Sequence, residues 1–360
     1  MPANSTLTRR LSMSHPIIQA PMAGGADGPA LVAAVGEAGG FGFLGAAYLS
    51  PEQMLDAASE IRARTPRPFG INLFAPLPVP TLPGDADLAV ALIAPFYTEV
   101  GLEPPTIPEA PNDDFGGQLD AAVGSGASAL SFTFGLPPAE AVAAAKRHDL
   151  VLIGTATTIE EGRELQAIGV DAVVAQGSEA GGHRGTFAAS VASSLVGTMA
   201  LVPQMVDALD VPVVASGGIM DGRGIAAALA LGAEVVQMGT AFLTTDEAGA
   251  TDVYRQAILD AGEADTRITT AFSGRAARGI VNRVMTMVDT GGAILPFPYQ
   301  NALTRQLRSA AAIQHKAEYL SLWAGQGVGM ARQMAAAALM SRLVDETREA
   351  AQRLRDLYPD

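Results

Sequence analysis

The run Gln176-Gly-Ser-Glu-Ala-Gly-Gly-His183-Arg-Gly185 sets one histidine among glycines. Imidazole is the side chain best matched to proton transfer near neutral pH, and a histidine in a glycine-rich loop has no apolar core to serve. A metal ligand is the competing role. That needs further histidines or carboxylates at useful spacing, and His15, His148 and His315 lie far off in the chain. No metal site is expected, and those three histidines read as structural or surface residues. Glu179 reads as a group that orients the loop, and Arg184 as either an attractor of anions or a surface residue. Two amides, Asn72 and Gln176, interrupt apolar runs. A buried amide without a partner costs a few kcal/mol, so each needs either a backbone partner or the polar edge of a flat heterocycle. Found together at one end of a fold, they favour a cofactor ring. Ser216-Gly217-Gly218-Ile219 and Gln237-Met238-Gly239-Thr240 each follow an apolar run. Glycine lets the backbone approach a ligand, a helix N-terminus favours an anion, and the Thr240 hydroxyl adds a donor. Singly each reads as a tight turn; as a pair they predict a phosphate site.

Groups so far apart in sequence need a fold that gathers them. Eight apolar runs are candidate strands: Pro16–Met22, Phe41–Ala46, Pro68–Phe74, Ala127–Phe134, Leu150–Thr155, Val170–Gln176, Val211–Ser216 and Glu234–Gly239. Near-continuous rather than alternating hydrophobicity suits parallel strands covered on both faces. Helical patterns lie between them at Pro29–Ala38, Ser50–Arg64, Pro138–His148, Thr158–Ile168, Leu201–Leu209 and Gly222–Leu231, several followed by glycine. This α/β rhythm predicts a (β/α)8 TIM barrel, since an open doubly wound sheet uses fewer strands. Barrel chemistry sits on the loops after the strand C-termini, and phosphate commonly binds after the seventh and eighth strands, where the two glycine segments fall. Residues 1–248 would form the barrel. Within them 75–112, with nine prolines, is a proline-rich insertion after the third strand, either a lid or a surface excursion. Residues 249–360 read as a mainly helical C-terminal extension packing on the barrel mouth, with amphipathic helices over Ala310–Leu322 and Ala331–Leu354.

Two glycine motifs are decoys. Gly40-Phe-Gly42-Phe-Leu-Gly45 has the dinucleotide spacing but closes a helix and enters a strand, the reverse of what that fingerprint requires. Gly325-Gln-Gly327-Val-Gly329 reads as a helix break. Composition removes further classes. The 360 residues contain no cysteine, which excludes disulfides, thiol catalysis, iron–sulfur clusters and cysteine-ligated zinc. A net charge of −14 argues against nucleic acid or an anionic membrane as partner. No apolar run reaches the roughly 20 residues of a membrane span. Arg9 and Arg10 precede no uninterrupted apolar core, so an export signal is not expected and a cytoplasmic location is.

Pro16-Ile-Ile-Gln-Ala-Pro-Met22-Ala-Gly-Gly25, the Gln176–Gly185 loop, Ser216-Gly217-Gly218 and Gln237-Met-Gly-Thr240 together resemble the nitronate monooxygenases, formerly 2-nitropropane dioxygenases. Pro296-Phe-Pro-Tyr-Gln-Asn301-Ala-Leu-Thr304 and Leu322-Trp-Ala-Gly-Gln326-Gly are similar to the C-terminal part of that family, so the resemblance spans nearly the whole chain. It implies an FMN-containing barrel that oxidises alkyl nitronates, and by extension nitroalkanes, with O2 to carbonyl compounds and nitrite. It also implies that Met22, Asn72, Gln176, Gly181, Gly217, Gly218, Gln237, Met238, Gly239 and Thr240 contact FMN. His183 is implied as the active-site histidine, donating a hydrogen bond to the nitro oxygens or serving as base toward a neutral nitroalkane. Thr133 stands where many members have histidine, and Phe297, Asn301 and Arg305 stand where some have tyrosines and a lysine; these departures bear on substrate choice. The implied partners are the small molecule and O2, with self-association left open. FMN-dependent NAD(P)H reductases, of the enoyl-acyl carrier protein or quinone type, share a similar glycine–histidine loop and form the rival enzyme reading. A flavin-binding protein without turnover is the non-enzyme reading.

Overall fold

The computed structural model describes residues 6–109 and 114–357. Strands β1 (Ile17–Gln19), β2 (Phe41–Gly45), β3 (Gly70–Phe74), β4 (Ala129–Thr133), β5 (Val151–Ala156) and β6 (Ala172–Gln176) pair in parallel and in sequence order. After the short β7 (Gly182–His183), β8 (Val213–Ser216) and β9 (Val235–Met238) complete the ring, and β9 pairs back onto β1 with Ile18 opposite Gln237. The result is a closed eight-stranded parallel barrel, each strand falling on one of the eight runs read from the sequence, with β5 extending one residue past its run to Ala156. β10 (Thr266–Thr269) and β11 (Ala277–Ile280) form an antiparallel sheet with β7, in which Ala277 lies opposite His183.

Side chains alternate across a strand, and here the inward set changes character along the barrel axis. At the N-terminal end Ile18, Phe43, Ala129, Val151, Val214 and Val235 form an apolar plug, closed below by Leu7 of α1 (Thr6–Arg10) and by Leu11 just after it. Gly70 makes room for that plug, because a Cβ there would lie 2.2 Å from the Phe43 ring. One step toward the C-terminal mouth the inward residues are Asn72, Ser131, Thr155, Gln176, Ser216 and Gln237, all polar and all lining one cavity. The outward residues, among them Ile71, Leu130, Leu152, Val173 and Val236, pack under the helices.

Those helices start where caps and prolines place them. α2 (Pro29–Glu37) and α3 (Pro51–Arg64) both begin at proline, and Ser50 and Gln53 form a reciprocal capping box at α3. α4 (Ala86–Glu99) and α5 (Phe115–Gly124) fill the long β3–β4 connection. Ala89, Ile93, Phe96 and Tyr97 of α4 join a second apolar cluster with residues of the C-terminal part. Residues 110–112 of the proline-rich segment lie outside the described residues. α6 (Ala139–Arg147), α7 (Ile159–Ala167), α8 (Thr198–Ala208) and α9 (Gly222–Ala230) follow their strands. Three further helices, α10 (Asp252–Asp260), α11 (Arg283–Gly291) and α12 (Tyr299–Ile313), precede α13 (Ala336–Leu357). α13 lies against α9 and α2, and its Leu339, Met340 and Leu343 enter the layer between strands and helices. It thereby takes the eighth helix position of the barrel, some hundred residues after the eighth strand.

The helix expected over Ala310–Leu322 is displaced. α12 begins at Tyr299 behind Pro298 and ends at Ile313, after which His315 adopts φ 54° and a single 3-10 turn covers Ala317–Tyr319. Pro296 and Pro298 precede the helix start, where a missing N–H costs nothing. Within that start, Gln300 ties its side chain to Leu295 N at 3.0 Å and Ala271 O at 2.7 Å.

Candidate active site

A cavity of about 560 Å³ opens at the C-terminal mouth of the barrel. Met22, Asn72, Gln176, Gly181, His183, Gly217, Gly218, Gln237, Met238, Gly239 and Thr240 all line it. Met238 turns its side chain outward into the strand–helix layer, so its contribution is its backbone. Met22 is held there by Asp27, whose carboxylate accepts the backbone N–H of Met22 at 2.5 Å and of Gly45 at 2.6 Å. Asp27 is 1% exposed, and burial pushes its carboxyl up to about 6 against the pull of those N–H donors.

The two amides are used differently. Gln176 donates to the His183 carbonyl at 3.0 Å and accepts from Gly185 N at 2.8 Å, so its side chain folds the histidine loop onto the barrel. Asn72 donates to Ser131 Oγ at 2.9 Å and to its carbonyl at 3.2 Å, and its Oδ1 has no protein partner among the described residues. Gln237 makes no side-chain hydrogen bond among them, and its amide faces the cavity with donor and acceptor both unspent. At the glycine segments, Gly217 and Gly218 take φ 117° and 70°, a region costly to any residue with a Cβ. The N–H groups of Gly218 and Gly239 have no acceptor among the described residues. Thr240 Oγ1 accepts from Gly325 N at 3.0 Å and keeps its hydrogen to donate. Gly325 and Gly327, read as a helix break, are part of the cavity wall.

Arg184 is neither an exposed cation nor an attractor of anions. It is 1% exposed and donates to the carbonyls of Gly177 at 2.6 Å and of Gln176 and Ser194 at 3.0 Å. The carbonyls of a sharply turning loop need donors that neighbouring glycines cannot give, and the guanidinium supplies them. Glu179 ties the same loop to the start of α8, accepting from Thr198 N and Oγ1 at 2.9 Å. Glu161, fully buried, accepts from Thr157, Thr186, Phe187 and Ala188 and anchors the chain that leaves the loop. These bonds to its charged form outweigh burial and hold its carboxyl below the usual range.

His183 stands in a collar of rings, with centroids 5.4 Å from Trp323, 5.6 Å from Phe134 and 6.4 Å from Phe297. Its Nε2 lies 2.8 Å from Ser273 Oγ. The ring edge opens on the cavity, but the surrounding protein withdraws it from bulk water. That burial, followed by the charges of Arg275 and Arg308, pushes the imidazole down to about 3. Arg275 lies 4.1 Å over the Phe134 ring, itself pushed down to about 10 by burial.

Of the residues that line the cavity from α12, Asn301 and Arg305 were marked in the sequence only as departures from the resembled family's pattern, and Arg308 and Ala312 were not marked at all. Asn301, Arg305, Arg308 and Ala312 line the cavity from one face of α12, at spacings of four, three and four. The helix was expected over Ala310–Leu322, so this period, which lies mostly before it, was not read. Arg308 is held by Asn301 Oδ1 at 2.7 Å, whereas Arg305 makes no hydrogen bond among the described residues. No aspartate or glutamate is among the described residues lining the cavity, in a chain of net charge −14. No group of residues suited to a metal ion occurs among the described residues, and no described helix is long and apolar enough to cross a membrane.

Fold and cavity together define a (β/α)8 barrel with a cavity of small-molecule size at its C-terminal mouth, the place where barrels of this kind carry their active sites. The family model for nitronate monooxygenase matches residues 5–346. A probable nitronate monooxygenase of Staphylococcus saprophyticus is 42% identical over 352 residues, 97% of this chain and 99% of the relative. One from Bacillus subtilis is 44% identical over 340 residues, 94% and 97% of the two chains. Among solved structures, nitroalkane oxidase from Streptomyces ansochromogenes superposes with a TM-score of 0.91 at 41% identity, covering 97% of this chain and 100% of that one. FabK from Thermotoga maritima does so with 0.77 at 28%, covering 98% of each. The chain belongs to the nitronate monooxygenase family of flavin-dependent oxidoreductases.

Proposed function

We propose that the chain oxidises alkyl nitronates with O2, giving a carbonyl compound and nitrite, with FMN as its cofactor. The observation that carries this reading is the sign of the cavity: Arg305 and Arg308 line it and no described carboxylate does, although acids outnumber bases in the chain by 37 to 23. A low-dielectric cleft of one sign concentrates ligands of the other, and a nitronate is an anion before any proton is moved.

The residues fit FMN. Unpaired N–H groups at Gly218 and Gly239, the positive-φ glycines and the Thr240 hydroxyl suit one phosphate. The free Gln237 amide and Asn72 Oδ1, with the backbone at Met22, Gly181 and Met238, suit a flat ring with alternating donors and acceptors. When bound, FMN supplies the electron sink for the oxidation. The chain's own residues do the rest. Arg305 and Arg308 draw in the anion, the rings of Phe134, Phe297 and Trp323 exclude water, and Gln176 and Glu179 hold the loop that carries His183. A neutral nitroalkane must first lose a carbon-bound proton, and His183 is the group in the cavity that can take it. The structural likeness to nitroalkane oxidase supports that second substrate class.

The test has two parts. Mass analysis of the cofactor released from purified protein should show FMN. Oxygen uptake and nitrite release with propyl-2-nitronate should be catalytic and independent of NAD(P)H. FAD in the site, or turnover only with NAD(P)H, would move the assignment to the reductase reading.

A further inference from the structure

We propose that Ser273 is a positioning residue that fixes His183 as the neutral Nε2–H tautomer and leaves Nδ1, with its lone pair, open to the cavity. The proposal deepens the reading above and rests on it for its chemistry, though not for its geometry.

Hydrogen counting at one oxygen carries it. Ser273 is 1% exposed, and its Oγ has three neighbours: His183 Nε2 at 2.8 Å, the Arg275 carbonyl at 3.0 Å and the Arg275 N–H at 3.3 Å. A carbonyl only accepts and an N–H only donates, whereas a hydroxyl has one hydrogen and two lone pairs. The hydroxyl hydrogen therefore goes to the Arg275 carbonyl. One lone pair receives the Arg275 N–H, and the other is left for His183. Nε2 must be the donor in that contact. The opposite arrangement, with Ser273 donating to a bare Nε2, would strip the Arg275 carbonyl of the one hydrogen bond it makes among the described residues.

The ring has little freedom to escape this arrangement. The β7–β11 pairing fixes its backbone opposite Ala277, and Phe134, Phe297 and Trp323 surround it. A second proton is opposed by the charged groups facing the ring, Arg275 and Arg308, with no carboxylate among the described cavity residues to favour it. Nδ1 has no protein partner among the described residues and is not sealed from the cavity.

The consequence is a division of labour that differs from the expectation of a histidine donating to the nitro oxygens. With Nε2–H spent on Ser273, His183 has no hydrogen to offer a nitronate. It has a lone pair to offer a carbon acid. In that step the C–H bond breaks and its electron pair stays on the substrate, which becomes the nitronate. The proton forms a new N–H bond at Nδ1, and the Nε2–H bond to Ser273 persists in the resulting imidazolium. Ser273 thus sets which nitrogen is bare and where it points.

The chain has four histidines, which makes the tautomer directly measurable. The holoprotein, 15N-labelled at histidine, is recorded at pH 7 by long-range 1H–15N correlation, and His183→Asn identifies the His183 signals by their loss. The expected result is a protonated Nε2 and an unprotonated Nδ1 in the wild type. Both nitrogens should move toward averaged values in Ser273→Ala, with return to the wild-type pattern in Ser273→Thr. An Nδ1–H tautomer or an imidazolium in the wild type overturns the proposal, as does an unchanged pattern in folded Ser273→Ala. In steady-state assays, Ser273→Ala should lose roughly tenfold or more in kcat/KM on nitroethane and less than threefold on ethyl nitronate. Equal losses would contradict the division of labour. The wild-type tautomer is read without turnover, so a protein that fails to oxidise nitronates defeats the functional reading and leaves this one standing, and the reverse also holds.

Discussion

At the scale of single residues, the site depends on a histidine kept neutral beside arginines that have no carboxylate partner among the described residues. His183→Asn should retain its flavin, because the residue sits on the short β7 at the cavity edge and not on the glycine turns after β8 and β9. Its loss on nitroalkanes should be the larger of the two, about 100-fold, the low end for a general base because a ring pushed down to about 3 accepts a proton weakly. Its loss on nitronates should stay well under about tenfold, less than the worth of one neutral hydrogen bond, because the ring has no hydrogen to offer that anion. Paired oxygen-uptake assays on a nitroalkane and its nitronate measure both. The pH dependence follows from the same environment. A base works in its unprotonated form, and burial with Arg275 and Arg308 pushes His183 down to about 3. The kcat/KM profile on nitroalkane should therefore show no acid limb near pH 6.5, and a limb there would mean that the ring titrates normally. The histidine loop was legible in sequence because glycines around a histidine leave few structural reasons for it. Ser273 was not, since a serine ninety residues away declares nothing until β7 and β11 pair. Arg184 was misjudged for a related reason: its partners are backbone carbonyls, which no sequence pattern marks.

At the scale of elements, the two glycine turns after β8 and β9 make different demands. Gly218 has φ 70°, and an added Cβ would lie 3.2 Å from Glu179 Cβ, so substitutions there mix backbone strain with any effect on the ligand. Gly239 is the cleaner probe. Its φ of −105° suits any residue, and an added Cβ meets only Ala20 at 3.6 Å and Met22 at 3.7 Å, ordinary contacts. Gly239→Ala should keep the wild-type melting temperature of the apoprotein and bind FMN at least tenfold more weakly in equilibrium dialysis. Unchanged affinity would place the phosphate elsewhere. α13 offers a test of packing. Leu343 is fully buried between it and the barrel, and Leu343→Ala should cost about 2–5 kcal/mol in urea unfolding. The strands were readable because parallel strands covered on both faces are continuously apolar. The start of α12 was not, because prolines that break a helix also begin one. The place of α13 was equally hidden, since an amphipathic period says that a face is buried and not against what.

At the scale of the whole molecule, two buried groups give stability opposing pH dependences. His183 has a folded value of about 3 against 6.5, so the unfolded chain takes up its proton first and stability falls as pH drops below about 6.5. Asp27 has a folded value of about 6 against 3.8, so the native state holds its proton longer and stability falls as pH rises from about 4 to 6. Asp27→Asn keeps an oxygen for Met22 N and Gly45 N while removing the second slope. Relative to wild type it should gain about 3 kcal/mol between pH 4 and 6, at 1.36 kcal/mol per unit, in paired urea titrations. A constant difference would mean that Asp27 titrates normally. The barrel emerged from local runs because each strand and helix is short and sequential, whereas the cavity's positive lining did not. Charge counted along a chain of −14 says nothing of where its arginines converge. That convergence, with a neutral histidine, is the basis for an oxidation that begins from an anion. The most direct test is to mix the purified holoprotein anaerobically with propyl-2-nitronate and, separately, with NADH, while following flavin absorbance near 450 nm. Rapid bleaching by the nitronate with none by NADH is the predicted result; bleaching by NADH with an inert nitronate would contradict the account.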